Sequence, residues 1–172
     1  VDGLAAKHHV IAFNNRGIGA SSGSPSSSME QMADDAVTFI KGMGLQQVEM
    51  VMLGYNTPFD HTGHADIDGL TSFHNHLSMQ AGAYQNATWV IGTAKCGTEE
   101  GSRMVGQSAI IAPSGEIVAQ AVTLEDEVIT AACDLDMGKR YRETIFNFAK
   151  HREPEAYRLI VERKGAIPPP EA

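Results

Sequence analysis

The sequence predicts an α/β fold: a parallel β-α-β unit near the N-terminus, continued by a mostly antiparallel run, so that one mixed sheet carries its helices on one face. Three observations predict it. In the first third, short β-branched apolar runs flank a stretch of helical period. In the second half, short strand-like runs are separated by turn residues. The 172 residues, 42% of them hydrophobic, hold enough apolar material for one ordinary core, and the length favours a single domain over residues 1–172.

Taken in order, HVIAFNN (His9–Asn15) reads as a buried strand that stops at the Gly/Ser/Pro-rich connection RGIGASSGSPSSS. Ser27 followed by Glu30 forms a capping box. Met29, Met32, Ala33, Ala36, Val37, Phe39, Ile40 and Met43 then recur at helical spacing until Gly42 and Gly44 end the run. VEMVML (Val48–Leu53) reads as a second strand, parallel to the first. After a loop rich in His, Asp and Gly, LTSFHNHLSMQAGAYQNA predicts a helix over about Thr71–Asn86. Strands are expected at TWVIGTAKC, QSAIIA, EIVAQAV and VITAACDLD, with Pro113-Ser114-Gly115 as a hairpin turn. Met137–Phe148 reads as a short helix. The polar stretch beyond it, ending in a tail at 162–172, is expected to lie across this subunit or a partner.

A net charge of -8 with only scattered basic pairs argues against nucleic acid or an anionic membrane as partner, and favours small molecules or protein surfaces. No apolar run approaches the roughly 20 residues of a bilayer span, and VDGLAAKHHV lacks the basic start and apolar middle of a signal peptide, so a cytoplasmic address is expected. The sequence opens on Val1, on the approach to a strand, which suggests further residues upstream. Two cysteines, Cys96 and Cys133, make no disulfide framework and no CxxC pair.

TAKCGTEEG places Cys96 beside Lys95 and near two glutamates, the residue types of a thiol hydrolase. If TAKC ends a strand, however, Cys96 shares a face with Val90 and Ala94, while Lys95 points the other way with Trp89, Ile91 and Thr93. A thiol among apolar side chains lacks the neighbouring cation that activates a nucleophile, so the reading is a core cysteine. Cys133, between Ala132 and Asp134, reads the same way.

His61, His64, His74 and His76 with Asp60, Asp66 and Asp68 have the donor chemistry of a zinc-type cluster. His74 and His76 are two apart on a helix, about 200° around its axis, so they cannot both face one ion. The expectation is no metal and no cofactor. RGIGASSG follows a strand but lacks the spacing and the Lys-Ser/Thr of a phosphate loop, and GYNTP carries no serine elbow.

Two resemblances meet at Leu53. Residues 8–53 resemble the α/β-hydrolase segment that runs from a strand with an N/D-x-R-G-x-G-x-S-S loop, through a helix, to the strand before the nucleophile elbow. Residues 54–161 resemble the C-terminal part of N-carbamoyl-D-amino-acid amidohydrolases of the nitrilase, or carbon-nitrogen hydrolase, superfamily. GYNTP, LTSFHNHLSMQAGAYQNATW, KCGTEEG, GQSAIIAPSGEIVAQAVTLEDEVITAACDLD and ETIFNFAKHREPEAY carry this second resemblance. It implies a partial αββα layer and the hydrolysis of N-carbamoyl-D-amino acids through a Cys/Lys/Glu triad and a thioester-like acyl-enzyme.

The resemblance places that triad upstream of GYNTP. Phe13 stands where the family has its cysteine, so no catalytic residue is assigned and the chain is expected to be inactive or incomplete. As substrate-binding residues the resemblance implies Asn56 and Thr57 at the substrate carboxylate, Arg16 as one carboxylate-binding arginine, and His74 in the pocket wall. An incomplete sandwich would expose strand faces, so a homo-oligomer is expected. An α/β-hydrolase-type esterase and a non-catalytic interaction module remain the alternatives.

Overall fold

The computed structural model describes residues 5–26, 28–45, 47–60 and 62–162. The cap residue Ser27, His61 of the histidine group and the tail from residue 163 onward lie outside the described residues. Where length favours one domain, the chain divides into two compact units, Val1–Val48 and Glu49–Ala172.

In the first unit, helix α1 (Met29–Gly42) starts one residue later than the capping box implies. Ser28 is the cap, and its hydroxyl accepts from the Gln31 N–H at 3.1 Å. The helix ends as the glycines predict: Gly44, at φ 70°, donates to Lys41 O while Leu45 donates to Ile40 O, the pairing that satisfies orphan carbonyls at a left-handed cap. The strand expected at His9–Asn15 does not form. A strand needs a neighbour's N–H and C=O groups. Here the Asn14 carbonyl accepts instead from the Ser21 hydroxyl at 2.8 Å, and Phe13 stacks on Phe39 of α1 with ring centroids 4.5 Å apart. The parallel strand-helix-strand unit is therefore present only as helix and second strand.

The second unit holds a four-stranded mixed sheet, β1 (Met50–Tyr55), β2 (Trp89–Ala94), β5 (Ala109–Ile111) and β6 (Ile117–Gln120), in the order β1-β2-β5-β6. Strand β1 runs parallel to β2 with Met50 opposite Trp89; β2 and β5, and β5 and β6, are antiparallel. The short α2 (Ala65–Asp68) and the long α3 (Thr71–Asn86) form the crossover that a parallel pair requires. Gly115, at φ 85°, closes the β5–β6 turn by donating to Ala112 O at 2.8 Å. A hairpin of β3 (Thr98–Glu99) and β4 (Ser102–Arg103) hangs beyond β2. After the sheet come α4 (Met137–Glu143), α5 (Phe148–His151), a 3₁₀ turn (Pro154–Tyr157) and α6 (Arg158–Glu162).

Both faces of the sheet are covered at its centre, while Val51 and Met52 of β1 stay exposed. On one, Val90, Ala109 and Ile111 pack with Ala83 and Met79 of α3. On the other, Trp89, Ile110 and Ala112 pack with Ile129, Ala131, Cys133, Leu135 and Met137. The strand expected at VITAACDLD is not assigned. Its alternate side chains nonetheless face the core as a strand's would, and the Trp89 indole N–H donates to Asp134 O at 2.8 Å. The helix expected over Met137–Phe148 is broken into α4 and α5 because Phe146 turns onto Tyr84 of α3, ring centroids 4.7 Å apart. Among the described residues no helix is long and apolar enough to cross a membrane.

Two glycines test this packing with opposite signs. A Cβ at Gly138 would collide with the Ala87 carbonyl, which already accepts from the Arg142 guanidinium at 2.7 Å, whereas nothing lies within 4 Å of a Cβ built at Gly82 in α3. Overpacking of this kind costs about 1–3 kcal/mol. Gly138→Ala should lower the thermal midpoint by roughly 2–12 °C, at about 2–4 °C per kcal/mol for a chain of this size. Gly82→Ala should raise it, since Gly costs about 1 kcal/mol relative to Ala inside a helix. Thermal unfolding followed by circular dichroism reads both.

Candidate functional site

The parallel pair β1 and β2 ends at Tyr55 and Ala94, and the chain leaves β1 through Asn56-Thr57-Pro58. Ligands of α/β sheets bind outside the carboxyl ends of parallel strands. The turn is fixed from two sides. Lys95 N–H donates to Tyr55 O at 2.9 Å and Val105 N–H to Thr57 O at 2.8 Å, and Pro58 bridges Met104. Beneath it the Tyr55 hydroxyl accepts from Asn75 Nδ2 of α3 at 2.9 Å. Asn56 is exposed and Thr57 half-buried, so both offer polar groups to the end of the sheet.

His74 lies on the same helix but one residue before Asn75, about 100° around it. It is exposed, and its ring meets that of Phe73 at 5.6 Å. His76 is turned inward, its Nε2 3.0 Å from the Gln107 carbonyl. Gln107 itself sits at φ 59°, beside Gly106 at φ 63°, a backbone conformation that a non-glycine residue rarely adopts. Arg16 belongs to the first unit, and its guanidinium is taken up by Asp35: Nε donates to Oδ2 at 2.8 Å, and Nη2 pairs with Oδ1. That hydrogen bond holds the Asp35 carboxyl below its ordinary range and raises Arg16. The fork that the resemblance assigns to a substrate carboxylate is already occupied.

The two thiols have different surroundings. Cys133 packs in the core, where burial pushes its thiol up. Cys96 lies just past the end of β2, less buried than its strand pattern implies. Its Sγ is 3.6 Å from Glu125 O, and it lines a cleft of about 370 Å³ with Glu125, Asp126 and Glu127. Nucleophilic thiolates need a nearby cation or helix N-terminus. Lys95, the nearest cation in sequence, pairs with Glu99 instead. Glu127 accepts from Thr123 N–H and hydroxyl and from Val122 N–H, and these bonds, Thr123 first, hold its carboxyl low. Among the described residues no group of three or more His, Cys, Asp or Glu side chains could hold a metal ion.

The sheet, its crossover helices and the polar turn at its carboxyl end describe one layer of an α/β fold. The carbon-nitrogen hydrolase family matches residues 38–143, more than half of the sequence, and the chain belongs to that family. The match begins at Thr38, before the Gly54 boundary drawn from resemblance, so β1 lies inside it. A probable nitrilase of Schizosaccharomyces pombe is 28% identical over 85 residues, covering 49% of this chain and 31% of that protein. The N-carbamoylputrescine amidase of Arabidopsis thaliana is 32% identical over 97 residues, covering 52% and 32%. The chain thus spans about a third of these relatives. The crystal structure of a carbon-nitrogen hydrolase from Helicobacter pylori G27 superposes with a TM-score of 0.56 at 17% identity, over 75% of this chain and 45% of that one, and shares the fold.

The sequence motif singles out Asn56 and Thr57, and His76 enters only in the histidine group weighed for a metal; the contacts of Tyr55 with Asn75 and of His76 with Gln107 carry no sequence signal. The Tyr55 phenol is raised by burial, against the opposing hydrogen bond from Asn75. In the folded state the neutral phenol is favoured, so its contribution to stability is full below about pH 10 and is lost as pH rises through the folded value. Alkaline titration of phenolate absorbance should show one of the four tyrosines ionising late. Tyr55→Phe should delete that component, and Asn75→Ala should shift it later still. A late component that survives Tyr55→Phe would rule out this assignment.

Proposed function

We propose that this chain forms the substrate-side part of a hydrolase acting on non-peptide carbon-nitrogen bonds, of the kind that releases D-amino acids, CO2 and ammonia from N-carbamoyl-D-amino acids. The observation that supports the reading best is the Asn56–Thr57 turn. It lies at the carboxyl end of a parallel pair, inside the family-matched residues, with its backbone pinned by Val105 and Tyr55 anchored by Asn75. In this role the Thr57 hydroxyl and the Asn56 amide hydrogen-bond the substrate carboxylate, and α3 forms a wall of the pocket.

The acylation step needs a thiolate to attack the carbamoyl carbon and expel the amine. Neither cysteine of this chain is placed for it, one being packed in the core and the other beside carboxylates. The function proposed for the chain on its own is therefore binding without turnover. Upstream of Thr38, the Arg16 loop and the first turns of α1 stand in this reading for a segment of α/β-hydrolase type joined to the family segment, a natural or engineered recombination.

Incubation with N-carbamoyl-D-alanine or N-carbamoyl-D-phenylglycine should release no ammonia above buffer, and Cys96→Ala should change nothing. Ligand-observed NMR should detect the same compounds at the protein, with affinity falling about tenfold in Thr57→Val, as loss of one hydrogen bond to a charged group implies. Turnover that Cys96→Ala abolishes would overturn the reading of the thiol. Binding indifferent to both Asn56 and Thr57 would overturn the reading of the turn.

A further inference from the structure

One open cleft outside the Asn56–Thr57 turn places an arginine opposite carboxylates. The loop after β1, helix α2 and strand β4 line an open cleft of about 440 Å³, with Phe59, Asp60, Asp68 and Arg103 among two glycines and an alanine, within the size range of small-molecule sites. The guanidinium of Arg103 lies over the Phe59 ring, 4.5 Å from its centroid, a cation-π arrangement. Backbone pairing fixes both partners: Phe59 N–H donates to Arg103 O at 2.9 Å, and Pro58 bridges Met104. The stack is held from the main chain on both sides.

The carboxylates of the cleft are divided between two tasks. Asp68, 8% exposed, is spent on the wall: its Oδ1 accepts from the Thr62 N–H at 3.1 Å and from the Thr62 hydroxyl at 2.7 Å. Asp60 is exposed at the rim. Among the described residues Arg103 makes no ion pair with either acid, although both line its cleft. A guanidinium immobilised on a ring keeps a planar fork of donors in one orientation, which lowers the ordering cost of meeting a planar anion. Carboxylates match that fork two bonds at a time.

We propose that this cleft binds a small amino-acid-derived acid, the Arg103 fork taking its carboxylate and Asp60 accepting from its amino or ureido N–H. Phosphate or sulfate would satisfy Arg103 alone but would face Asp60 with a like charge. A ligand with an anionic end and a donor end meets both. The site uses residues outside the Asn56–Thr57 turn and concerns binding alone, so it stands or falls independently of any hydrolytic reaction.

The test titrates the full chain with N-carbamoylglycine, with acetate and with the neutral amide of N-carbamoylglycine, following the Arg103 Nε–H and the backbone amides of Ala65 and Gly69 by NMR. N-carbamoylglycine should give saturable shifts and the neutral amide none. Arg103→Gln should weaken binding at least about tenfold, and Arg103→Lys should not restore it, since an ammonium is a point charge without the planar fork. Asp60→Asn should erase the preference for N-carbamoylglycine over acetate. Shifts that persist in Arg103→Gln would overturn the proposal. So would an equal loss in Lys150→Gln, which would mean diffuse charge attraction. Loss in Asn56→Ala with Arg103→Gln unaffected would place the acid at the turn and overturn the cleft.

Discussion

Strand β2 is buried on both faces, and the second unit is organised around that constraint. Val90 points to α3, while Trp89 points to the segment 129–137, so successive residues of one strand serve two cores. Hydrogen bonding locks the register on both edges, parallel to β1 and antiparallel to β5. A side chain as large as Trp buries 150–250 Å², worth about 4–6 kcal/mol as an upper bound at about 25 cal/mol per Å². That is comparable with the whole stability of a small domain. At Gly92 the strand lets Met79 and Tyr55 come so close that a Cβ would meet the Met79 sulfur at 2.6 Å. This approach seats α3 where Asn75 reaches Tyr55.

The same constraint explains which elements were legible in sequence. Helix α3 and the turn at Pro113–Gly115 follow from local period and turn chemistry, and their bounds agree with the structure. The runs His9–Asn15 and VITAACDLD have equally good strand patterns, and neither forms a ladder. An alternating pattern reports which side chains seek burial; it says nothing of whether a neighbouring strand is at hand to take the backbone groups. In 129–135 the pattern was right about burial, since Ile129, Ala131, Cys133 and Leu135 face the core, and silent about pairing. The break between α4 and α5 is of the same kind. It depends on Tyr84, far away in sequence, drawing Phe146 out of helical register.

Legibility of the site divides along similar lines. Asn56 and Thr57 are contiguous and carried by one motif, so they could be read without a structure. Asn75 and Tyr55 are 20 residues apart, and His76 and Gln107 are 31 apart. No local period relates such pairs. Arg16 shows the converse: a motif position can be correct in sequence while its chemistry is committed elsewhere, here to Asp35, 19 residues away. Arg103 carries no motif at all. Its interest comes from Phe59 and Asp60 of the loop after β1 and from Asp68 of α2, which the bridge between Pro58 and Met104 brings alongside.

The two thiols take their positions from packing and from the turn after β2. Cys133 occupies an inward place in an alternating run and is one of the side chains that cover Trp89. Cys96 lies beyond the last paired residue of β2, where the chain turns into the β3–β4 hairpin. The residues that follow β6 bring Glu125, Asp126 and Glu127 to its side. To become a nucleophile it would need Lys95, its immediate neighbour. Adjacent residues on an extended chain project to opposite sides, and the Lys95 ammonium reaches Glu99 along the hairpin instead. The residue types of a Cys/Lys/Glu triad are thus adjacent in sequence, while the Lys95 ammonium is committed to Glu99. The two sulfur atoms serve packing in the core and the lining of a surface cleft.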